Sequence, residues 1–373
     1  MATQDTAAEP KLGRLLLADV RHGDFKRTLR RDWSELKEFY LDQERKTRLQ
    51  GMGKFKRFFV MAWWLIKSLF LKLTPVRRVL VVISCVLVIQ SGTIGFAGSN
   101  VNVTSDTGKA GFIILLFVLM LELKDKMTAQ SELAAGRVVQ RALMPKRNPV
   151  VAGWEIWMIA QPANEVSGDF VDYLALDGER LGLALGDVAG KGLKAALLMV
   201  KLQATLRALA AEFDSLAELG AKLNAILRRD GLPDSFASLV YLELQPDSGS
   251  VRLLNAGHMP PLRLSDFKLE EIAQHATALG LTPEATFVEQ RVELQRGETL
   301  LIYSDGLTEA RNEAGDFFGE ERLFALLRSL AGLQAAEMGA RIIAAIAAFV
   351  GEAPAHDDLS MLVLQRTAAG PHQ

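Results

Sequence analysis

Apolar and polar positions divide this 373-residue chain into two unlike parts, with the change of texture near Pro149. Residues 1–53 are polar and charged, with Arg30, Arg31, Asp32, Glu35, Lys37 and Glu38 close together. Within that stretch Trp33, Leu36, Phe39 and Tyr40 recur at helical spacing and predict a short amphipathic helix. The first apolar run begins only at Lys54, too late for a secretory signal. From 54 to 73, Phe55, Phe58, Phe59, Trp63, Trp64, Leu65, Leu69, Phe70 and Leu71 are interrupted by Lys54, Lys56, Arg57, Lys67 and Lys72. Charges in mid-run oppose a membrane span, and bases mixed with Trp and Phe suit a helix lying in the interface. A third spanning segment is the alternative.

Residues 79–98 carry no charge, a run long enough for about 30 Å of helix. Arg77 and Arg78 precede it. A polar loop (99–109) leads to a second, shorter run at 110–121, followed by Lys124 and Lys126. Bases at both outer ends predict a membrane hairpin whose ends face the cytoplasm; two buried helices of a soluble domain are the alternative. Residues 122–144 continue as a helix with Leu133, Val139 and Leu143 among its apolar positions, and Pro145 ends it. This linker helix is read either as a spacer or as a signalling helix that pairs in a homodimer.

Beyond Pro149, short apolar runs predict strands at 154–160, 173–176, 181–185, 237–244, 251–255 and 299–303. Longer runs predict helices at 192–212, 216–229, 320–333 and 335–350. Strands, then helices, then strands, then helices point to an α+β fold with segregated layers rather than alternating βαβ units. No internal repeat is visible.

Composition changes this picture in two places. Forty-three basic and 44 acidic residues give a net charge of -1, which argues against a nucleic-acid partner. The single cysteine, Cys85, excludes an internal disulfide and lies in an apolar run, where it serves as a small hydrophobe. The bulk of the chain reads as intracellular.

Four acidic segments carry the candidate chemistry: Val166-Ser167-Gly168-Asp169-Phe170, Gly186-Asp187-Val188-Ala189-Gly190-Lys191-Gly192, Tyr303-Ser304-Asp305-Gly306 and His356-Asp357-Asp358. Most place an Asp beside Gly or at a strand end, where the chain turns and leaves the carboxylate exposed. Hard divalent cations prefer such oxygen ligands, and carboxylates gathered from distant points repel unless a metal lies between them. Each segment alone is weak, since Asp-Gly is commonly just a turn. The 186–192 loop fails the phosphate-loop spacing, which requires Gly-Lys-Ser/Thr at its end.

Together with Asn255-Ala256-Gly257-His258, the extended segment Tyr303 to Ala310, His356 to Ser360, and the helix ending Gln140-Arg141-Ala142-Leu143-Met144-Pro145, these motifs resemble the metal-dependent protein serine/threonine phosphatases (PPM) of the SpoIIE/RsbU type. The likeness covers about 130–366. It implies a two-sheet β-sandwich flanked by helices, two Mn²⁺ or Mg²⁺ ions, and a phosphoserine or phosphothreonine protein as substrate. By this likeness Asp187 bridges both metals and the carbonyl of Val188 ligates one. Asp305 and Asp357 complete the second, and Asp169 holds metal-bound waters. Asp187, Asp305 and Asp357 are then the catalytic set, and Asp358 supports them. The implied mechanism is attack by a water that two cations activate. His258 is read as a hydrogen-bonded residue after a strand or as a proton donor, His356 as orienting its neighbour, and Lys191 as a solvated lysine.

The expected organisation is therefore a cytoplasmic N-terminal segment (1–53), an interfacial helix (54–75), a transmembrane hairpin (76–124), a linker helix (125–147) and a phosphatase domain (148–367). The expected location is the inner (cytoplasmic) membrane with the catalytic domain in the cytoplasm. The expected role is dephosphorylation of a protein in a bacterial partner-switching pathway, where the resemblance implies an anti-sigma-factor antagonist as the substrate. A non-catalytic scaffold of the same fold that binds a regulator, and a small-molecule phosphatase, are the alternatives.

Overall fold

The computed structural model describes residues 53–90, 92–95, 102–105, 107–176, 180–230, 235–245, 248–266, 268–273 and 276–367. The amphipathic helix expected around Trp33–Tyr40 lies outside them. The chain divides into two compact units, Met1–Lys126 and Met127–Gln373.

In the first unit, α1 spans Lys54–Lys72 and α2 spans Pro75–Ile89. The strands β1 (Gly92–Gly95) and β2 (Asn102–Ser105) pair antiparallel, and α3 starts at Thr107 and runs to Leu143 across the division. The described residues lend the expected transmembrane hairpin no support. The helix that enters the first uncharged run, α2, has only 15 residues, about 22 Å at 1.5 Å per residue. Past the helix, Gly92 and Gly95, poor helix formers, and β-branched Thr93 and Ile94 between them form the short strand β1. Among the described residues no helix is long and apolar enough to cross a membrane. The two helices do form a pair. Ser84 Oγ donates to the Gly111 carbonyl at 2.7 Å, and Thr107 Oγ1 to the Leu87 carbonyl at 3.1 Å. Gly111 permits the approach, because a Cβ there would lie 2.7 Å from the Ser84 carbonyl oxygen. Arg77, counted above as a cytoplasmic base, pairs with Glu122 and Asp125 at 2.6 Å each, so the acids cancel charge at that end. The second apolar run and the expected linker helix are one unbroken helix.

The second unit is a four-layer sandwich. One antiparallel sheet has the order β10–β7–β6–β5–β4: Glu289–Glu293, Ser250–Ala256, Ala237–Leu244, Leu181–Val188 and Phe170–Ala175. The other has the order β3–β12–β11–β8–β9: Trp154–Gln161, Leu359–Arg366, Thr299–Tyr303, Leu262–Ser265 and Lys268–Glu271. The strand period of two sorts side chains between layers. Leu183, Leu185, Val240, Leu242, Leu300, Ile302, Leu362 and Leu364 face the space between the sheets. Their neighbours Ala184, Leu239 and Tyr241 face α4 (Leu193–Leu209) and α5 (Leu216–Asp230). Leu301, Tyr303, Met361 and Val363 face α7 (Gly319–Ser329) and α8 (Ala335–Val350). With both faces covered, these strands read as continuous apolar runs. The helices supply single apolar stripes, Leu216, Leu219, Leu223 and Leu227 on α5 and Ala335, Met338, Ile342 and Ile346 on α8. A one-turn helix, α6 (Asp305–Thr308), follows β11 directly.

Candidate metal centre

The register of the sheets gathers the acidic segments at one end of the sandwich. Phe170 pairs with Gly186, so Asp169, just before β4, lies beside Asp187 near the end of β5. Tyr303 pairs with Met361, so Asp305, just after β11, lies beside the start of β12, which Asp357 precedes. Each sheet thus delivers one pair of carboxylates from an adjacent strand exit and strand start. Asp187, Val188, Lys191, Ser238, His258, Asp305 and Asp357 line one cleft of ≈ 360 Å³. Asp169 sits behind it, buried, with Oδ2 shielded from water and unbonded.

Local backbone chemistry explains the placements. Gly190 and Gly192 take positive φ of 108° and 77°, so the loop after β5 turns sharply and α4 starts beside the cleft. A side chain at Gly306 would collide with the Asp358 carbonyl, so glycine there lets the exit of β11 close against the start of β12. Ser304 fastens the same junction: its N–H donates to the Ser360 carbonyl and its Oγ accepts from the Ser360 N–H, both at 2.9 Å.

The electrostatics follow from crowding. Burial first, and then the charge of Asp187, pushes the Asp169 carboxyl well above the usual carboxylate range. Asp187 is raised by its own burial, with Asp357 and Asp358 adding to it, against a hydrogen bond from Asp169. Asp305 is pushed up to about 6 by burial and by the charges of Asp187 and Asp357. Carboxylates that destabilise one another are a set that a divalent cation relieves. The orphaned Oδ2 of Asp169 and the all-oxygen donors fit a hard cation. As they stand, no three Asp, Glu, His or Cys side chains among the described residues are close enough to hold one ion. Asp357 pairs with Lys191, Nζ to Oδ2 at 2.9 Å. Lys191 also donates to the His356 carbonyl at 3.2 Å, so it is paired rather than merely solvated.

Asp358 points away from the cleft. Its Oδ2 accepts from Ser167 Oγ and from the Gly168 N–H, and its Oδ1 from the Ala163 N–H, all at 2.8 Å. Ser167 Oγ accepts in turn from the Asp169 N–H at 2.9 Å. Asp358 therefore ties the loop that carries Asp169 to the start of β12. Gln140, buried on α3, clamps the same loop in both directions: Nε2 donates to the Ser167 carbonyl at 2.7 Å, and Oε1 accepts the Ser167 N–H at 2.9 Å. Sequence reasoning quoted Gln140, Ser167 and Ser304 inside motifs but gave them no role, because a polar residue beside an acid carries no mark of what it bonds. Ser238 was missed outright. His258 lies between Ser238 Oγ (2.7 Å from Nδ1) and the Tyr303 carbonyl (3.0 Å from Nε2). A carbonyl only accepts, so Nε2 carries the proton and Nδ1 accepts from Ser238. Burial holds this imidazole neutral, lowering its pKa to about 4 against the Tyr303 bond.

Residues 177–367 match the family model for Stage II sporulation protein E (SpoIIE). Among curated proteins, Protein IcfG of Synechocystis sp. is 29% identical over 55% of this chain and 37% of its own length. Phosphoserine phosphatase RsbU of Bacillus subtilis is 27% identical over 64% of this chain and 70% of its own. The chain thus spans little more than a third of the first relative. Among solved structures, the RsbU and RsbW domains of a Mycobacterium tuberculosis protein share 28% identity with a TM-score of 0.51, covering 60% of this chain and 62% of that one. The SiaA-PP2C domain of Pseudomonas aeruginosa has the same fold, with a TM-score of 0.56 at 22% identity over 65% of this chain and 98% of that one. The family model takes in half of the chain, including three of the four acidic segments, and the chain belongs to the SpoIIE family.

Proposed function

We propose that this chain is a divalent-metal-dependent phosphoserine or phosphothreonine phosphatase that acts on a phosphorylated regulatory protein. The observation that carries this reading is the delivery of Asp187, Asp305 and Asp357 into one cleft from two sheets, with Asp169, whose Oδ2 has no partner, behind them. Asp187, the Val188 carbonyl, Asp305 and Asp357 would hold two Mn²⁺ or Mg²⁺ ions, and Asp169 would hold the waters around them. Cations there supply Lewis acidity toward phosphoryl oxygens and a water activated near neutral pH. The protein's own part is to fix the acids. Asp358 and Gln140 hold the Asp169 loop, Ser304 holds the β11–β12 junction, and neutral His258 braces the floor of the cleft.

The name of the relative RsbU, a phosphoserine phosphatase, supports a substrate phosphorylated on serine. The pairing of RsbU with RsbW domains in the M. tuberculosis protein supports a partner-switching setting, with an anti-sigma-factor antagonist as the substrate. We further assign the chain to the cytoplasmic face of the inner membrane, held there by α1 and the apolar surfaces of α2 and α3, and to a homodimer formed through α3. In support, Phe55, Phe59 and Trp63 on α1 are 85%, 67% and 65% exposed, amid Lys54, Lys56, Arg57 and Lys67.

The deciding experiment is hydrolysis of p-nitrophenyl phosphate and of a serine-phosphorylated protein by the full chain, with and without Mn²⁺, for wild type and Asp187→Asn. Manganese-dependent turnover that falls at least about a hundredfold in the variant is expected, the size of loss seen when one transition-state charge stabiliser is removed. Turnover indifferent to the substitution would refute the assigned centre, and no turnover with any metal would favour a scaffold.

A further inference from the structure

Beside the metal cleft lies a second one of ≈ 250 Å³, and the two share Asp357. One wall is apolar, built by Ile343, Ala347 and Val350 of α8; Arg311, in the loop after α6, stands in the lining as well. Among the described residues no carboxylate pairs with Arg311, and its Nε is shielded from water with no acceptor. The side chain is nonetheless held in place. Arg311 and Phe317 form an isolated antiparallel bridge, and the guanidinium carbon sits 4.6 Å from the centre of the Phe317 ring, within cation–π range. The turn between them is fastened by Asn312, whose Oδ1 accepts the N–H groups of Ala314 at 3.0 Å and Asp316 at 2.8 Å. The result is a pre-positioned, unneutralised cation beside an apolar slot, adjacent to the metal cleft across Asp357.

We propose that this slot binds the segment of the phosphoprotein substrate flanking its phosphorylated residue, with Arg311 pairing a carboxylate side chain of the substrate and the α8 wall receiving an apolar one. The inference rests on the phosphatase reading above and adds a specificity-determining residue to it. Charge decides the occupant. An uncompensated guanidinium fork matches a carboxylate in two parallel hydrogen bonds. The slot is smaller than the ~300–1,000 Å³ usual for small-molecule sites and suits one or two side chains of an extended chain. Shared Asp357 places any bound segment next to the phosphoryl group being removed. Arg311 is absent from the lining of the metal cleft, so its target is the flanking segment and not the phosphate under attack.

The test uses the full chain with Mn²⁺ and a set of phosphoserine peptides in which a single Glu, Gln or Lys is moved through each flanking position. p-Nitrophenyl phosphate, which has no flanking segment, serves as the control. Wild type is expected to prefer Glu over Gln at one position by about tenfold in KM, the size of one hydrogen bond to a charged group. Arg311→Ala erases the preference, and Arg311→Glu transfers it to Lys, with p-nitrophenyl phosphate turnover the same throughout. Ala347→Trp, which fills the slot while leaving the guanidinium, raises KM for every peptide and spares the control. The proposal is overturned by a wild type blind to charge, by a Glu preference that survives Arg311→Ala, or by a parallel loss of p-nitrophenyl phosphate turnover in the Arg311 variants. A wild type inactive on p-nitrophenyl phosphate as well refutes the phosphatase reading itself and takes the docking slot with it.

Discussion

Asp357 and Asp358 are adjacent in the chain and do opposite things. Asp357 lines the cleft and pairs with Lys191, whereas Asp358 turns inward to accept three hydrogen bonds from the 163–168 loop. Near β12 successive side chains alternate in direction, and that alternation separates the roles. His258 makes the same point for a titratable group. Its pKa, ordinarily 6.5, is lowered to about 4 by burial. Below about pH 6.5 the unfolded chain therefore takes up a proton that the folded protein refuses. Stability is intact above that pH and is lost as pH falls toward 4, by about 3 kcal/mol over the whole window. Thermal unfolding of wild type and His258→Gln between those limits should show the steeper fall in the wild type, while equal slopes would mean that the ring protonates in the folded state. The same value makes the imidazole a poor proton donor at neutral pH, in keeping with its two structural hydrogen bonds.

At the scale of elements, the strands at 237–244 and 299–303 and the helix at 335–350 were legible to the residue, because long apolar runs and clean helical stripes leave one reading. β8, β9, β10 and β12 were not foreseen. Each of the first three has only four or five residues and carries charged side chains within them, so none shows the unbroken apolar run that marks 299–303. β12 follows the His-Asp-Asp motif and was read for chemistry, not for strand pattern. The helix α3 carries two messages. Gln140 on its buried side grips the Asp169 loop, while Val138 and Val139 are 69% and 60% exposed. This uncovered apolar face is the surface assigned above to a homodimer. Leu133→Asp with Val139→Asp should reduce the full chain to monomers in analytical ultracentrifugation and lower Mn²⁺-dependent turnover; unchanged mass and turnover would remove α3 from the interface.

For the whole molecule, two kinds of surface set two kinds of behaviour. The sandwich of the second unit gathers its core in three buried apolar clusters, as an independently stable sandwich does. The first unit leaves many large apolar side chains on α1, α2 and the start of α3 exposed, and clustered exposed apolar residues mark membrane or protein contacts. Full-length protein should float with vesicles containing an anionic phospholipid such as phosphatidylglycerol. Phe59→Glu with Trp63→Glu should weaken that binding, as added salt should. Wild-type protein that stays in the soluble fraction would refute the membrane assignment. What the sequence by itself determined is what local pattern and motif order can encode: the strand and helix textures, the segregated layers, the acidic segments and the family. What only the tertiary structure decided is what depends on distant chain meeting distant chain. Strand register brings Asp169 beside Asp187 and Asp305 beside Asp357, Asp358 and Gln140 become braces, Arg77 is cancelled by Glu122 and Asp125, and an uncharged run of membrane length breaks at Ile89 into a helix and a strand. None of these is written in periodicity: the register, the braces and the Arg77 pair are fixed by partners far away in sequence, and the break after Ile89 by glycines that hydropathy does not register.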